Sequence, residues 1–118
     1  MMPSIDWLYH RKRCVSCQRA REFLEANACT VRDQTDATKD RRGPNQALEL
    51  VKSAKKVIVA RGKKVVTFDM VKDPPDDQTL LAHVLGPSGY LRAPTLRRGQ
   101  TLLIGYSDAA YRQFFGLE

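Results

Sequence analysis

Apolar residues come in two rhythms along this chain, and each rhythm marks a different kind of element. "SIDWLYH", residues 4–10, is a short apolar run ending at a basic stretch, and it predicts a first strand. From Val15 the spacing turns helical. Ala20, Phe23 and Leu24 fall at i, i+3 and i+4, while Arg19, Arg21, Glu22 and Glu25 fill much of the remaining surface. "CTVRDQ", 29–34, predicts a second strand, and the polar "TDATKDRRGPN" a loop. Ala47, Leu50, Val51 and Ala54 predict a second amphipathic helix starting near Pro44 or Asn45.

The Val- and Ile-rich "KKVIVARGKKVVTFDM" is interrupted by "RGK" and predicts two strands, 56–60 and 64–69, around a tight turn. A third helix follows, with Pro75 and Asp76 at its start, Leu81, Val84 and Leu85 on its buried side, and Gly86-Pro87 as its stop. "APTLRRGQTLLIGY" predicts a hairpin turning at Arg98-Gly99. Ser107 then caps a final helix that carries Tyr111, Phe114 and Phe115 inward, with Gly116 at its end. This order describes one α/β domain over residues 1–118, large enough for a core without disulfide staples. No apolar run approaches the roughly 18 residues of a membrane span. The N-terminus has no apolar core followed by a small-residue cleavage site, which predicts a cytoplasmic protein.

Charge changes the picture through its placement. Of a net +7, the whole excess sits in residues 39–64, where nine Lys or Arg face only Asp40 and Glu49. Such a segment is a solvated face or a contact for an acidic partner. No aromatic residue is interleaved with it, which argues against direct nucleic-acid binding.

The candidate chemistry is in "YHRKRCVSCQRAREFL", 9–24, where Cys14 and Cys17 stand three apart at a strand-to-helix junction. A thiolate is the reactive form of cysteine, and the amide-rich start of a helix favours an anion. His10, Arg11, Lys12 and Arg13 add positive potential just before it. Cys14 is therefore the candidate attacking thiol, and Cys17, one turn later, the candidate resolving thiol. A structural zinc site needs about four ligands. Cys29, His10 and His83 are the remaining candidates and provide no second paired motif, so no metal is expected. An inert buried pair is the other alternative. Cys29 reads as a small buried side chain and His83 as a surface or boundary residue.

A second segment, "LRAPTLRRG", joins "CVSCQRAREFL" and the closing "TLLIGYSDAAYRQFF" in a family pattern. Together they resemble the thioredoxin-fold family of glutaredoxin-type arsenate reductases and Spx-type redox regulators of RNA polymerase, over roughly 5–34 and 76–116. The resemblance implies a thioredoxin-like (glutaredoxin-like) fold, a mixed sheet flanked by helices, with the strand pair inserted in the middle. It implies a cis Ala93–Pro94 bond facing the cysteines, and a substrate groove at Ala93, Pro94 and Thr95 with Arg13 beside it. "GYSD" resembles a glutaredoxin segment that holds a carboxylate of glutathione, which suggests an anion site at Ser107 and Asp108. Where arsenate reductases of the family carry arginine, this chain has Gln18 and Ala93, with Arg19 and Arg92 one place away. The middle of Spx-type regulators is helical, whereas "VIVARGKKVVTF" predicts strands.

The function expected is cytosolic thiol–disulfide exchange with no bound cofactor, drawing electrons from glutathione or thioredoxin. Its partner would be a disulfide-bearing protein or a small thiol. The alternatives are a redox sensor docking on RNA polymerase and an arsenate reductase.

Overall fold

The computed structural model describes residues 3–117. In chain order it forms β1 (Ser4–His10), α1 (Val15–Ala26), β2 (Thr30–Asp36), α2 (Pro44–Lys52), β3 (Lys56–Arg61), β4 (Lys64–Asp69), α3 (Asp77–Val84), β5 (Thr95–Arg98), β6 (Thr101–Ile104) and α4 (Asp108–Phe114). Local chemistry starts the helices where the sequence placed them. Asp76 caps α3 by accepting from the Thr79 N–H, and Ser107 caps α4 by accepting from the Ala110 N–H. Pro44 occupies the first turn of α2, where its missing N–H costs nothing.

The six strands make one mixed sheet in the order β2-β1-β5-β6-β3-β4. β1 runs parallel to β2 and antiparallel to β5, β5 antiparallel to β6, β6 parallel to β3, and β3 antiparallel to β4. The inserted pair thus extends a four-stranded sheet at its β6 edge. Helices cover both faces. Ala20, Phe23 and Leu24 of α1 and Tyr111 and Phe114 of α4 pack with Ile5, Leu8, Leu96 and Leu103. Ala47 and Val51 of α2 and Leu80 and Val84 of α3 pack with Tyr9, Val57, Val59, Leu102 and Ile104. Alternation assigns Val57 and Val59 to one face and Ile58 and Ala60 to the other, which is why the inner strands read as unbroken apolar runs.

Three expectations need correction. β2 continues to Asp36 rather than stopping at residue 34. As an edge strand it carries mostly exposed polar residues, so Thr35 and Asp36 give no apolar signal for their pairing with Tyr9 and His10. The buried side of α3 is Leu80 and Val84, while Leu81 and Leu85 are only partly covered. Leu80 and Val84 are four apart and lie on the stripe that faces α2. Phe115, expected inward, follows the end of α4 and is half-buried, stacked on Phe23 with ring centroids 5.9 Å apart.

One close approach fixes the inserted pair to the rest. Gly105, after β6, has φ +88°, and a Cβ there would stand 2.3 Å from the Ala60 carbonyl oxygen of β3. Its N–H donates to the Pro94 carbonyl at 2.8 Å. Both the left-handed backbone and the contact require glycine. Gly105→Ala is expected to lower stability by on the order of 2 kcal/mol or more, read as a fall in the urea midpoint.

Candidate active site

β1 ends at His10, and Arg11, Lys12 and Arg13 carry the chain into α1. Cys14 is the N-cap of that helix, with extended backbone (φ −138°, ψ 121°). Its Sγ takes the place of a capping oxygen and accepts from the Cys17 N–H at 3.3 Å. Cys17 is fully buried, and its Sγ accepts from the Arg11 N–H at 3.3 Å. Arg21 braces the connecting loop. Its guanidinium donates to the Arg11 carbonyl at 2.9 Å and the Lys12 carbonyl at 3.3 Å, and lies 3.1 Å from His10 Nδ1.

The two sulfurs have opposite electrostatics. Burial alone would raise the Cys14 thiol, but hydrogen bonds from the Cys17 thiol and Cys17 N–H, with the Arg11 charge, bring it below its ordinary value. Cys17 is pushed up to about 12, by burial first and then by the hydrogen bond and negative charge it shares with Cys14. Negative charge is thus favoured on the half-exposed sulfur and a proton on the buried one. The basic run contributes less than its length suggested. Burial lowers the His10 imidazole, and Arg11 is the member of the run whose charge bears on Cys14. Cys29 is half-buried rather than buried, and begins just before β2. His83 sits at a boundary, edge-on to Phe68 at 5.1 Å.

Cys14 opens onto a cleft of about 450 Å³. The Ala93–Pro94 bond is cis, and the Ala93 carbonyl oxygen lies 3.9 Å from Cys14 Sγ. Ala93 lines the cleft, while Pro94 and Thr95 are buried next to it. Thr95 donates through Oγ1 to the Arg92 carbonyl at 2.8 Å, so its hydroxyl holds the loop shape instead of facing a ligand. Arg13 is exposed outside the cleft, beside Lys12 and Asp36. Ser107 and Asp108 are not in the wall either; Gly105 and Tyr106 are. Ser107 spends its hydroxyl oxygen on capping α4.

Sequence reasoning did not find Tyr9, Arg41, Tyr90 and Tyr106 as cleft residues, and knew Arg92 only as an arginine one place out of position. Arg41 lies over the Tyr90 ring at 5.3 Å, and Arg92 Nε donates to the Leu85 carbonyl at 3.3 Å. Tyr90 and Arg92 had one usable signal, their nearness to Pro94 in the chain. Arg41, in a polar loop, had none.

This arrangement has a counterpart among known proteins: the model of the ArsC family matches residues 9–114, from the end of β1 to the end of α4. The chain belongs to the ArsC family. The match takes in Cys14, Cys17, the inserted strand pair and the cis-proline loop together, and the thioredoxin-like α/β fold is that of the ArsC family. No curated protein matches the chain. Among the described residues no group of three or more His, Cys, Asp or Glu side chains converges, and no helix is long and apolar enough to cross a membrane.

Replacing Cys17 by Ala keeps the N–H donor to Cys14 and removes the thiol donor. The Cys14 titration midpoint, followed by thiolate absorbance, is therefore expected to move up. An unchanged midpoint would assign the stabilisation to the helix start and Arg11 alone.

Proposed function

We propose that the protein is a cytosolic thiol–disulfide oxidoreductase working through the Cys14–Cys17 pair. The observation that carries this reading is the geometry of the pair. Cys14 is half-exposed at the helix start, its Sγ accepting from the Cys17 N–H beside the Ala93 carbonyl, while Cys17 is fully buried behind it. That placement favours negative charge on the first sulfur and a proton on the second. The Cys14 thiolate attacks one sulfur of a substrate disulfide. A mixed disulfide forms, and the leaving sulfur departs as a thiolate that takes a proton from water.

That first step prepares the second. With Cys14 covalently capped, its negative charge and its hydrogen bond from Cys17 are gone, and these were two of the causes raising the Cys17 thiol. Burial remains, while the Arg11 N–H and charge still favour a thiolate at Cys17. Cys17 loses its proton and attacks Cys14 Sγ. The second substrate thiol leaves, and two electrons have passed from the pair to the substrate as a Cys14–Cys17 disulfide forms. Two glutathione thiols, or the dithiol of a thioredoxin, would restore the pair. The Ala93 carbonyl beside Cys14 gives the incoming peptide or thiol a backbone acceptor at the reacting sulfur.

A second reading is supported by the cleft wall. Arg11, Arg41 and Arg92 line it with Cys14, so cations surround the thiol even though Gln18 and Ala93 stand where family reductases carry arginine. Convergent guanidinium groups suit an oxyanion, and arsenate is the substrate this reading would take.

A Cys17→Ser variant is expected to accumulate its target as a mixed disulfide on Cys14, and Cys14→Ser to abolish exchange. Arsenate-dependent consumption of reductant would favour the second reading. If the protein reduces no disulfide with glutathione or thioredoxin supplied, yet captures RNA polymerase, a redox-sensor role replaces the enzymatic one.

A further inference from the structure

The Cys14 cleft does not end at its own rim. A second cavity, about 660 Å³, is lined by Arg61, Gly62, Lys64, Val66, His83 and Arg92. Gly62 and Arg92 belong to both walls, so the two cavities adjoin, and together they reach from the thiol to the tip of the β3–β4 hairpin as a groove in two parts. Five permanent cations face it, Arg11, Arg41, Arg92, Arg61 and Lys64, and neither wall contains a carboxylate.

These charges are not neutralised elsewhere. Among the described residues the ion pairs are Arg42–Asp40 and Lys52–Asp77, and none of the five takes part. Arg61 and Lys64 are paired directly across the hairpin, an arrangement of like charges that costs stability. Arg61 and Arg92 line the same second cavity, and burial, then the charge of Arg61, disfavours the Arg92 cation. Three of the guanidinium groups are nonetheless held in place: Arg61 donates to the Ala82 carbonyl at 3.5 Å, Arg92 to Leu85, and Arg41 lies over Tyr90. A groove walled by cations that take part in no ion pair creates a potential that gathers a ligand of opposite sign and speeds its arrival.

We propose that this groove binds an acidic peptide segment flanking the disulfide of a protein substrate. The proposal rests on the thiol–disulfide reading, since exchange requires sulfur at the Cys14 end, which a nucleic acid does not have. A small thiol such as glutathione has only a pair of carboxylates and would occupy the Cys14 end, leaving Arg61 and Lys64 unmatched. A chain with several carboxylates running along the groove matches all five. The inserted strand pair, whose Ala60 and Gly62 line the cleft and whose tip presents Arg61 and Lys64, is then the substrate-selecting part of the fold.

The test uses two fluorescent peptides of equal length, each holding the same small thiol in a disulfide, one flanked by Glu and the other by Gln. Anisotropy reads binding, and release of the small thiol reads exchange. The Glu peptide is expected to bind and react roughly tenfold better, with the preference fading as salt rises. The double variant Arg61→Glu, Lys64→Glu should abolish the preference while hydroxyethyl disulfide turns over as before, and Arg61→Gln, Lys64→Gln should lose part of it. Circular dichroism confirms that each variant is folded. Equal binding of both peptides, a preference that survives the double charge reversal, or tighter binding of an oligonucleotide of equal charge would overturn the proposal. Hydroxyethyl disulfide turnover without peptide preference removes the groove and leaves the redox reading. Salt-sensitive preference for the Glu peptide without exchange of any disulfide supports the groove and removes the redox reading.

Discussion

The hydrogen bonds that Cys17 sends to Cys14 Sγ at the first turn of α1 set the chemistry of the whole site. A sulfur in the capping position does what an oxygen does at other helix starts: it satisfies an N–H that the helix cannot satisfy itself. In exchange it gains a partner for negative charge. Burial first, and then the hydrogen bond and negative charge shared with Cys14, raise the buried thiol, so the two cysteines are unequal. Arg11 joins the two effects. Its N–H holds Cys17 while its charge favours the anion on Cys14. Arg21 bonds to the carbonyls of that loop and so keeps the arrangement in register.

The rest of the fold brings the opposite wall to this helix start. β5 lies antiparallel against β1, which sets Ala93 across from Cys14. Gly105, after β6, ties the Pro94 loop to the inserted strands through its bond to Pro94 and its contact with Ala60. The inserted pair is therefore more than an extension of the sheet. Its Ala60 and Gly62 line the cleft, and its tip adds Arg61 and Lys64 to the adjoining cavity.

Much of this was legible before any coordinates. The order of elements along the chain, the helix starts and the strand pair followed from period and capping, because Asp76, Ser107 and Pro44 each have a local physical job. The Cys14–Cys17 spacing located the thiols for the same reason: helix geometry and thiol chemistry both act within one turn. What the sequence hid depends on distant pairing. β2 is an edge strand, so its last residues carry no apolar mark. Arg41 and Tyr90 reach the cleft only through the packing of loops far apart in the chain. The family resemblance implies Arg13 and Thr95 as groove residues, yet Arg13 is exposed outside the cleft and Thr95 is buried.

Charge near the cysteines in sequence was a partial guide, because within the basic run it is Arg11 whose charge bears on Cys14. Arg13 is exposed outside the cleft, whereas Arg92, distant in the chain, stands in the same cleft wall as Cys14. The central claim, that Cys14 is selectively ionised, is tested most directly by alkylating the reduced protein with iodoacetamide across pH and locating the label by mass spectrometry. Cys14 should take the label first, with a rate midpoint below the ordinary thiol value, while Cys17 stays unlabelled at neutral pH. Equal labelling of the two, or a Cys14 midpoint at or above the ordinary value, would contradict it.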